Sequence, residues 1–489
     1  MRLLLSLASL GLLLNGCQRR PDDVPVVVSA IGTQARVIDP ARDAIAHPTA
    51  VLLDAVAQGL VRFDAAGQVE PGLAERWIVI DDGTSYIFRL REAQWPDGRP
   101  IRAAEVVGSL RRAVARASRI SLRPHLAVID EIVEMTPQVI EVRLSRPRPD
   151  LLTLFAQPEM AILDPRAGDG GTGPFRIASA DPDGGTLLRP IADANAPADE
   201  AADGPDPEQF VRLHAERAAL AIARFAARRS DLVSGGSFLE WPLIAEARVA
   251  PANRRIDPAE GLFGLAVVER EGFLAAVENR EAVAMAIDRG ALTAAFLPEW
   301  QPRDSILPEA LDAAGPPARP GWIAFDLDDR RTAAAVRVAA WRAANGGAAP
   351  RLRVALPDGP GANLLWGHIG AALRAIGIEG ERVALDADAD LRLVDAVAPY
   401  DSARWYLVRA CQPCAGNAAA LITAARDART TRERAELLTR ADAALAADHA
   451  FIALARPLRW SLVALRLRAW RENARAWHPL NQLRRDPTS

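Results

Sequence analysis

An α/β protein with more than one core is what this sequence predicts, on three observations. The chain has 489 residues, half of them hydrophobic, which is more than one core organises, so two or three domains are expected. Between Gln58 and Arg112 the hydrophobic period changes from two, the signature of half-buried strands, to helical spacing. Farther on, Arg351 to Leu356 and Leu391 to Val394 read as strands with a helix from Asn363 to Ala375 between them, the alternation of a parallel sheet.

The stretch from Gln58 to Arg112 is the most informative. Leu60 to Phe63 is a short strand closed by the turn Asp64-Ala65-Ala66-Gly67, and Trp77 to Ile80 is a second strand closed by Asp81-Asp82-Gly83. Tyr86, Phe88 and Leu90 alternate with Ile87, Arg89 and Arg91, which makes one face of a third strand apolar. A turn at Pro96-Asp97-Gly98 follows Trp95. After Pro100, Val106, Val107, Leu110 and Val114 recur at helical spacing with arginines opposite. A small twisted sheet flanked by a helix is expected.

The same residues carry a family resemblance. Gly59-Leu60-Val61-Arg62-Phe63-Asp64, Pro71-Gly72-Leu73-Ala74-Glu75-Arg76-Trp77, Asp81-Asp82-Gly83, Tyr86 to Arg91, Trp95-Pro96-Asp97-Gly98 and Ala103 to Val107 together resemble the periplasmic substrate-binding proteins of ABC transporters. The class is solute-binding protein family 5, which takes up oligopeptides, dipeptides, nickel complexes and related solutes. The resemblance implies a two-lobed type II periplasmic-binding-protein (Venus flytrap) fold with an extra small α/β subdomain in the first lobe. It implies closure of the lobes around a ligand by hinge motion.

The first residues fit an exported protein. Met1-Arg2, the apolar run Leu3 to Leu14 and Asn15-Gly16-Cys17 have the dimensions of a secretory signal, too short for a membrane-spanning helix. Leu14 to Cys17 resembles a bacterial lipobox with Asn15 in place of a small residue, which makes Cys17 the expected lipidation site. A polar linker runs to Pro25, and Val26 to Ile31 reads as the first strand. The net charge of −3 is too balanced for a nucleic-acid binder, and the absence of lysine among the 59 basic residues reads as codon bias.

Along the rest of the chain, Ile129 to Thr136 and Val139 to Leu144 are alternating strands, followed by a helix from Asp150 to Phe155. Gly168, Gly170 and Gly173 fit G-x-G-x-x-G, but a dinucleotide turn must open a helix, and Pro174 to Ile177 reads as a strand. Gly171 to Phe175 instead resembles the family's return to the first lobe. Residues 190–209, rich in Ala, Asp and Pro, read as a surface loop, and Ala219 to Ser230 as a helix. Glu278 to Arg289 resembles a family helix of the second lobe, where Arg280 is expected to make a salt bridge or cap a helix. Arg432 to Asp448 is the last long helix.

Asp390 to Asn417 is the expected recognition segment. In peptide-binding members an aspartate here anchors the ligand's amino group, and the alignment places that position near Ala398, which is not an acid. Asp395 and Asp401 are the neighbouring acids. Trp405 and Tyr406 offer a flat apolar wall or belong to the core, and Arg404 or Arg409 a partner for a carboxylate. Cys411-Gln412-Pro413-Cys414 admits a redox motif, half a zinc site or a tight disulfide; no further ligand is close in sequence, and an exported compartment favours the disulfide.

No nucleophile elbow or His-Glu-x-x-His helix is present, and the six histidines are scattered. The expectations are therefore a non-enzymatic solute-binding lipoprotein, with no catalytic residue, no metal and no cofactor. Its partners would be a small-molecule or peptide-like solute and the permease subunits in the inner membrane, with the lipid holding a monomer in the periplasm. A periplasmic lipoprotein hydrolase or chaperone on the same fold is the alternative. The expected division is a signal at 1–16, anchor and linker at 17–25, a first lobe from 26–48, 165–260 and 461–489, its small subdomain at 49–164, and a second lobe at 261–460.

Overall fold

Three sheets organise the chain. The computed structural model describes residues 23–168, 170–181, 184–191, 205–309 and 311–484. Cys17 and the signal and anchor expected around it lie outside them, as do residues 192–204 of the expected surface loop.

The largest sheet has seven strands in the order Arg254–Ile256, Arg459–Val463, Leu232–Ser237, Val26–Ile31, Val211–Glu216, Gly185–Pro190 and Phe175–Ala180. Val26–Ile31 is central and parallel to both neighbours, Val28 opposite Leu213 on one side and Leu232 on the other. A strand flanked in this way is buried on both faces, and Val26-Val27-Val28 accordingly reads as an apolar run, followed by a buried Ser29. The helix His47–Val56 packs its Val51, Leu52 and Ala55 onto this sheet, so it crosses the expected boundary at residue 49 and joins the larger unit.

The second sheet has five strands, Glu379–Ala384, Arg351–Leu356, Leu391–Val397, Gly261–Val267 and Phe451–Ala455. Arg351–Leu356 runs parallel to both its neighbours, with the crossover helix Pro360–Ala375 burying Leu365, Ile369 and Leu373. Its three-residue extension ahead of Asn363 starts at Pro360, a residue suited to a helix's first position because it has no amide proton to leave unpaired. Thr430 caps the helix Thr431–Asp448 by accepting from the Glu433 amide at 3.2 Å.

The third sheet is antiparallel, in the order Ala74–Ile80, Ser85–Leu90, Val139–Leu144 and Ile129–Thr136. Phe88, Leu90, Ile140 and Val142 pack beneath the helix Ala103–Val114, whose buried face is Val106, Val107 and Leu110. Val61–Phe63 and Val69–Pro71 form a separate hairpin beside it. The same apolar cluster continues through Tyr400, Tyr406 and Leu407 into residues that follow the five-stranded sheet.

The expectation about the glycine-rich stretch is met by geometry. Gly173 leads into the strand Phe175–Ala180, and a Cβ there would sit 2.5 Å from the Ala55 carbonyl oxygen. Close backbone approach, not phosphate binding, requires that glycine. The helix read over Ala219 to Ser230 is shorter, Ala218–Ala226, because the chain turns left-handed at Arg228 with φ of 57°. Arg280 has the structural part expected of it: its side chain is 5% exposed, pairs with Asp448 and donates to the Leu274 carbonyl at 2.8 Å.

Candidate functional site

The strand Leu391–Val397 ends where Pro399 removes a ladder donor, and the helix Ala403–Ala410 begins four residues later. That helix is started from a distance. Asp312 accepts from the Ala403 amide at 2.7 Å and from the Ser402 hydroxyl at 3.2 Å, and is itself paired with Arg434 at 2.9 Å. A carboxylate at this end offsets both an unpaired amide and the helix dipole. The arrangement fixes residues 396–412 along one wall of a cavity of about 410 Å³.

The facing wall comes from the unit of the antiparallel sheet: Phe63, Ser121, Leu122, Pro124, His125, Gln157 and Glu159. Arg475 and Trp477, from the last descending segment, complete the lining. Its volume lies within the range of small-molecule sites, about 300–1,000 Å³. A larger hollow of about 590 Å³ lies beside Phe225, Val249 and Leu465, but it is lined by the end of the helix Ala218–Ala226 and by loops flanking strands of the seven-stranded sheet. The smaller cavity is the better candidate because two separate units wall it.

Hydrogen bonds cross at its margin. Gln157 Nε2 donates to the Pro399 carbonyl at 2.7 Å, Arg148 Nη2 donates to Tyr400 Oη at 2.9 Å, and Tyr400 Oη lies 2.9 Å from His125 Nδ1. Arg475 donates to the Ala398 carbonyl at 3.1 Å and pairs with Asp401.

Of the residues singled out from the sequence, Trp405 and Arg409 line the cavity, as does Ala398 at the anchoring position. Asp395 does not line it: both carboxylate oxygens lie within 3.0 Å of Arg459 Nη1, and burial raises the carboxyl's pKa against the pull of that arginine. Asp401 is 60% exposed and acts on the site only by holding Arg475. Tyr406 is core. It is fully buried and edge-on to Trp405 at 4.9 Å, its hydroxyl has no partner among the described residues, and burial first, then Glu260, pushes its pKa up. Arg404 is half-buried behind the wall; burial, with Arg148 and Arg434 nearby, lowers its pKa to about 10.

Cys411 and Cys414 are joined in a disulfide at the end of the helix Ala403–Ala410. Among the described residues no cluster of three or more His, Cys, Asp or Glu is placed to hold a metal ion, and no helix is long and apolar enough to cross a membrane.

Sequence reasoning missed His125, Gln157, Glu159, Phe63, Arg475 and Trp477. Glu159 matters most, because it puts a carboxyl in the lining from the opposite wall. Ser121 donates to it at 3.3 Å, and burial raises its pKa. Phe63 ends a strand the sequence announces, but nothing local marks it or the others as lining, since their place depends on contacts distant in sequence.

Comparison with known proteins follows the geometry. A family model described as "Bacterial extracellular solute-binding proteins, family 5 Middle" matches residues 68–379. The probable deoxycholate-binding periplasmic protein YgiS of Escherichia coli K12 is 33% identical over 121 residues, which is 21% of this chain and 23% of that protein. The glutathione-binding protein GsiB of Escherichia coli K12 is 28% identical over 164 residues, 31% of each chain. The match thus spans less than a third of either relative's length. Among solved structures, the Escherichia coli murein tripeptide binding protein MppA superposes with a TM-score of 0.76 over 94% of this chain and 98% of its own, at 15% identity, which is evidence of shared fold.

Proposed function

The chain belongs to the bacterial extracellular solute-binding proteins of family 5, and on that premise we propose that it captures a small solute, peptide-like or anionic, and delivers it to the permease of an ABC importer. The observation that carries the reading is the cavity of about 410 Å³ walled by residues 396–412 on one side and residues 121–125 and 157–159 on the other. Both walls rest on one continuous apolar cluster, which holds residues distant in sequence around the same space. The lining combines apolar surface from Trp405, Trp477 and Phe63 with separated charges, Glu159 on one wall and Arg409 on the other. A peptide-like solute carrying a carboxylate matches that mixture.

The finer points belong to the same proposal. The protein acts in the periplasm as a monomer, tethered by a lipid on Cys17 in sequence context Leu14-Asn15-Gly16-Cys17. Glutathione and deoxycholate, named for two relatives, and short peptides are the first solutes to try. The rival is a hydrolase or chaperone on this fold. Native mass spectrometry of protein isolated from its own periplasm separates them. An adduct of one small molecule per chain, released unaltered on denaturation, is expected; release of cleaved fragments, or of bound polypeptide, would overturn the proposal.

A further inference from the structure

Arginine donates hydrogen bonds and never accepts them. Tyr400 Oη therefore accepts from Arg148 Nη2, at 2.9 Å, and it lies 2.9 Å from His125 Nδ1, the one partner to which its own proton can be donated among the described residues. An Nδ1 that accepts is unprotonated, so a neutral His125 carries its proton on Nε2. Among the described residues the His125 ring bonds only through Nδ1, and His125 lines the cavity. Arg409 lines it too, is exposed, and makes no ion pair among the described residues.

We propose that His125 Nε2–H and the Arg409 guanidinium form a receiving site for an acidic group of the solute, a carboxylate or a phosphate, and that Arg148 and Tyr400 are positioning residues that set the His125 tautomer. The proposal rests on reading this cavity as the solute site and adds the class of group bound at one end.

The charges facing that end favour an anion. Arg148 is buried with its Nε unpaired, and Arg404 behind the wall also has an unpaired Nε. Burial, with Arg148, Arg404 and Arg409, holds His125 at about 4, so it stays neutral near pH 7. Asp150 acts on Arg148 and Tyr400, its pKa raised to about 6 chiefly by burial, and Asp312 is committed to Arg434. Glu159 is the carboxyl elsewhere in the lining. A cationic group placed beside His125 meets three guanidiniums, whereas an anion accepts from both Nε2–H and Arg409.

The relay also crosses between units. Arg148 and His125 belong with the antiparallel sheet, while Tyr400 follows a strand of the five-stranded one. The tautomer that offers a donor to the cavity is therefore imposed only where those units touch.

The test is heteronuclear NMR on the full chain with ring-labelled histidine, using inorganic phosphate as probe. His125 is expected as the Nε2–H tautomer without titration from pH 6 to 8, with Tyr400→Phe mixing the tautomers. Phosphate at tens of millimolar is expected to shift its Nε2 resonance, and Arg409→Ala to weaken that response roughly tenfold. An Nδ1–H tautomer or an imidazolium at pH 7, or no response to phosphate in the unmodified protein, would overturn the site. Should Tyr400→Phe fail to fold, the unmodified tautomer and Arg409→Ala decide alone. A phosphate-responsive site in a protein that binds no panel solute would leave this inference standing and remove the importer reading.

Discussion

Asp395, on a strand of the five-stranded sheet, and Arg459, on a strand of the seven-stranded sheet, are joined at 2.9 Å with side chains only 15% and 18% exposed. The pair ties together the two large sheets and removes from consideration one of the two acids that neighbour Ala398 in the recognition segment. Taking away one partner of a shielded ion pair leaves the other desolvated and uncompensated, which costs about 3–5 kcal/mol. Asp395→Ala and Arg459→Ala should each lose stability on that order in denaturant melts, and the double variant should lose far less than the sum. Additive losses would show that the contact contributes nothing as a pair.

Asp442 gives the pH dependence a definite sign. It is 1% exposed, accepts from the Ala318 amide at 2.7 Å, and burial raises its pKa from 3.8 to about 6. A carboxyl raised on folding binds its proton more tightly in the native state. Its contribution to stability is present below pH 3.8 and lost as pH rises through about 6. Asp442→Asn keeps the acceptor without the charge. Urea midpoints should coincide for the two proteins near pH 4, diverge as pH rises to about 6 and stay apart above it, with the variant more stable at neutral pH by on the order of 3 kcal/mol. Parallel pH profiles would contradict this.

The Cys411–Cys414 disulfide closes a very short loop, so its effect on the unfolded chain's entropy is small, roughly 2 kcal/mol at most. Periplasmic protein denatured without reductant should show no thiol reactive at either position, and replacing both by Ser should lower stability by no more than that amount. Two free thiols would refute the pairing.

Lipidation is testable by fractionation. Cys17→Ser should release the protein from membranes into the soluble fraction, and continued dependence on detergent would rule out the anchor at that residue.

Much of the scaffold was legible because it rests on local periodicity. Ile129–Thr136, Val139–Leu144 and Arg351–Leu356 were read to the residue, each an alternating or fully apolar run bounded by turn formers. Helix ends were less legible: the stop after Ala226 depends on a left-handed Arg228 that no glycine announces. Part of the expected recognition segment lines the cavity, but the sequence assigns its polar residues by neighbourhood alone. Asp395 and Asp401 are claimed by Arg459 and Arg475, partners 64 and 74 residues away. His125, an isolated histidine in sequence, gains its meaning from Tyr400, 275 residues on.

Selectivity follows from which acids are spent. With Ala398 near the expected anchoring position and Asp390, Asp395 and Asp401 each paired with an arginine, no acid of the segment is left for a ligand's ammonium group. A short peptide and its N-acetylated form should bind within about tenfold of each other. A loss of roughly a thousandfold on acetylation would make Glu159 the anchor, since an unpaired buried ammonium costs several kcal/mol.

The central claim is that the cavity between residues 121–125 and 396–412 holds an unmodified solute. Isothermal calorimetry addresses it directly, with short peptides, glutathione and deoxycholate titrated into the unmodified protein and into Ser121→Trp, which fills the cavity from an exposed position. The expected result is one-to-one binding of at least one unaltered solute, weakened by at least about tenfold in Ser121→Trp. Binding that Ser121→Trp leaves unchanged, or a solute recovered as product, would contradict it.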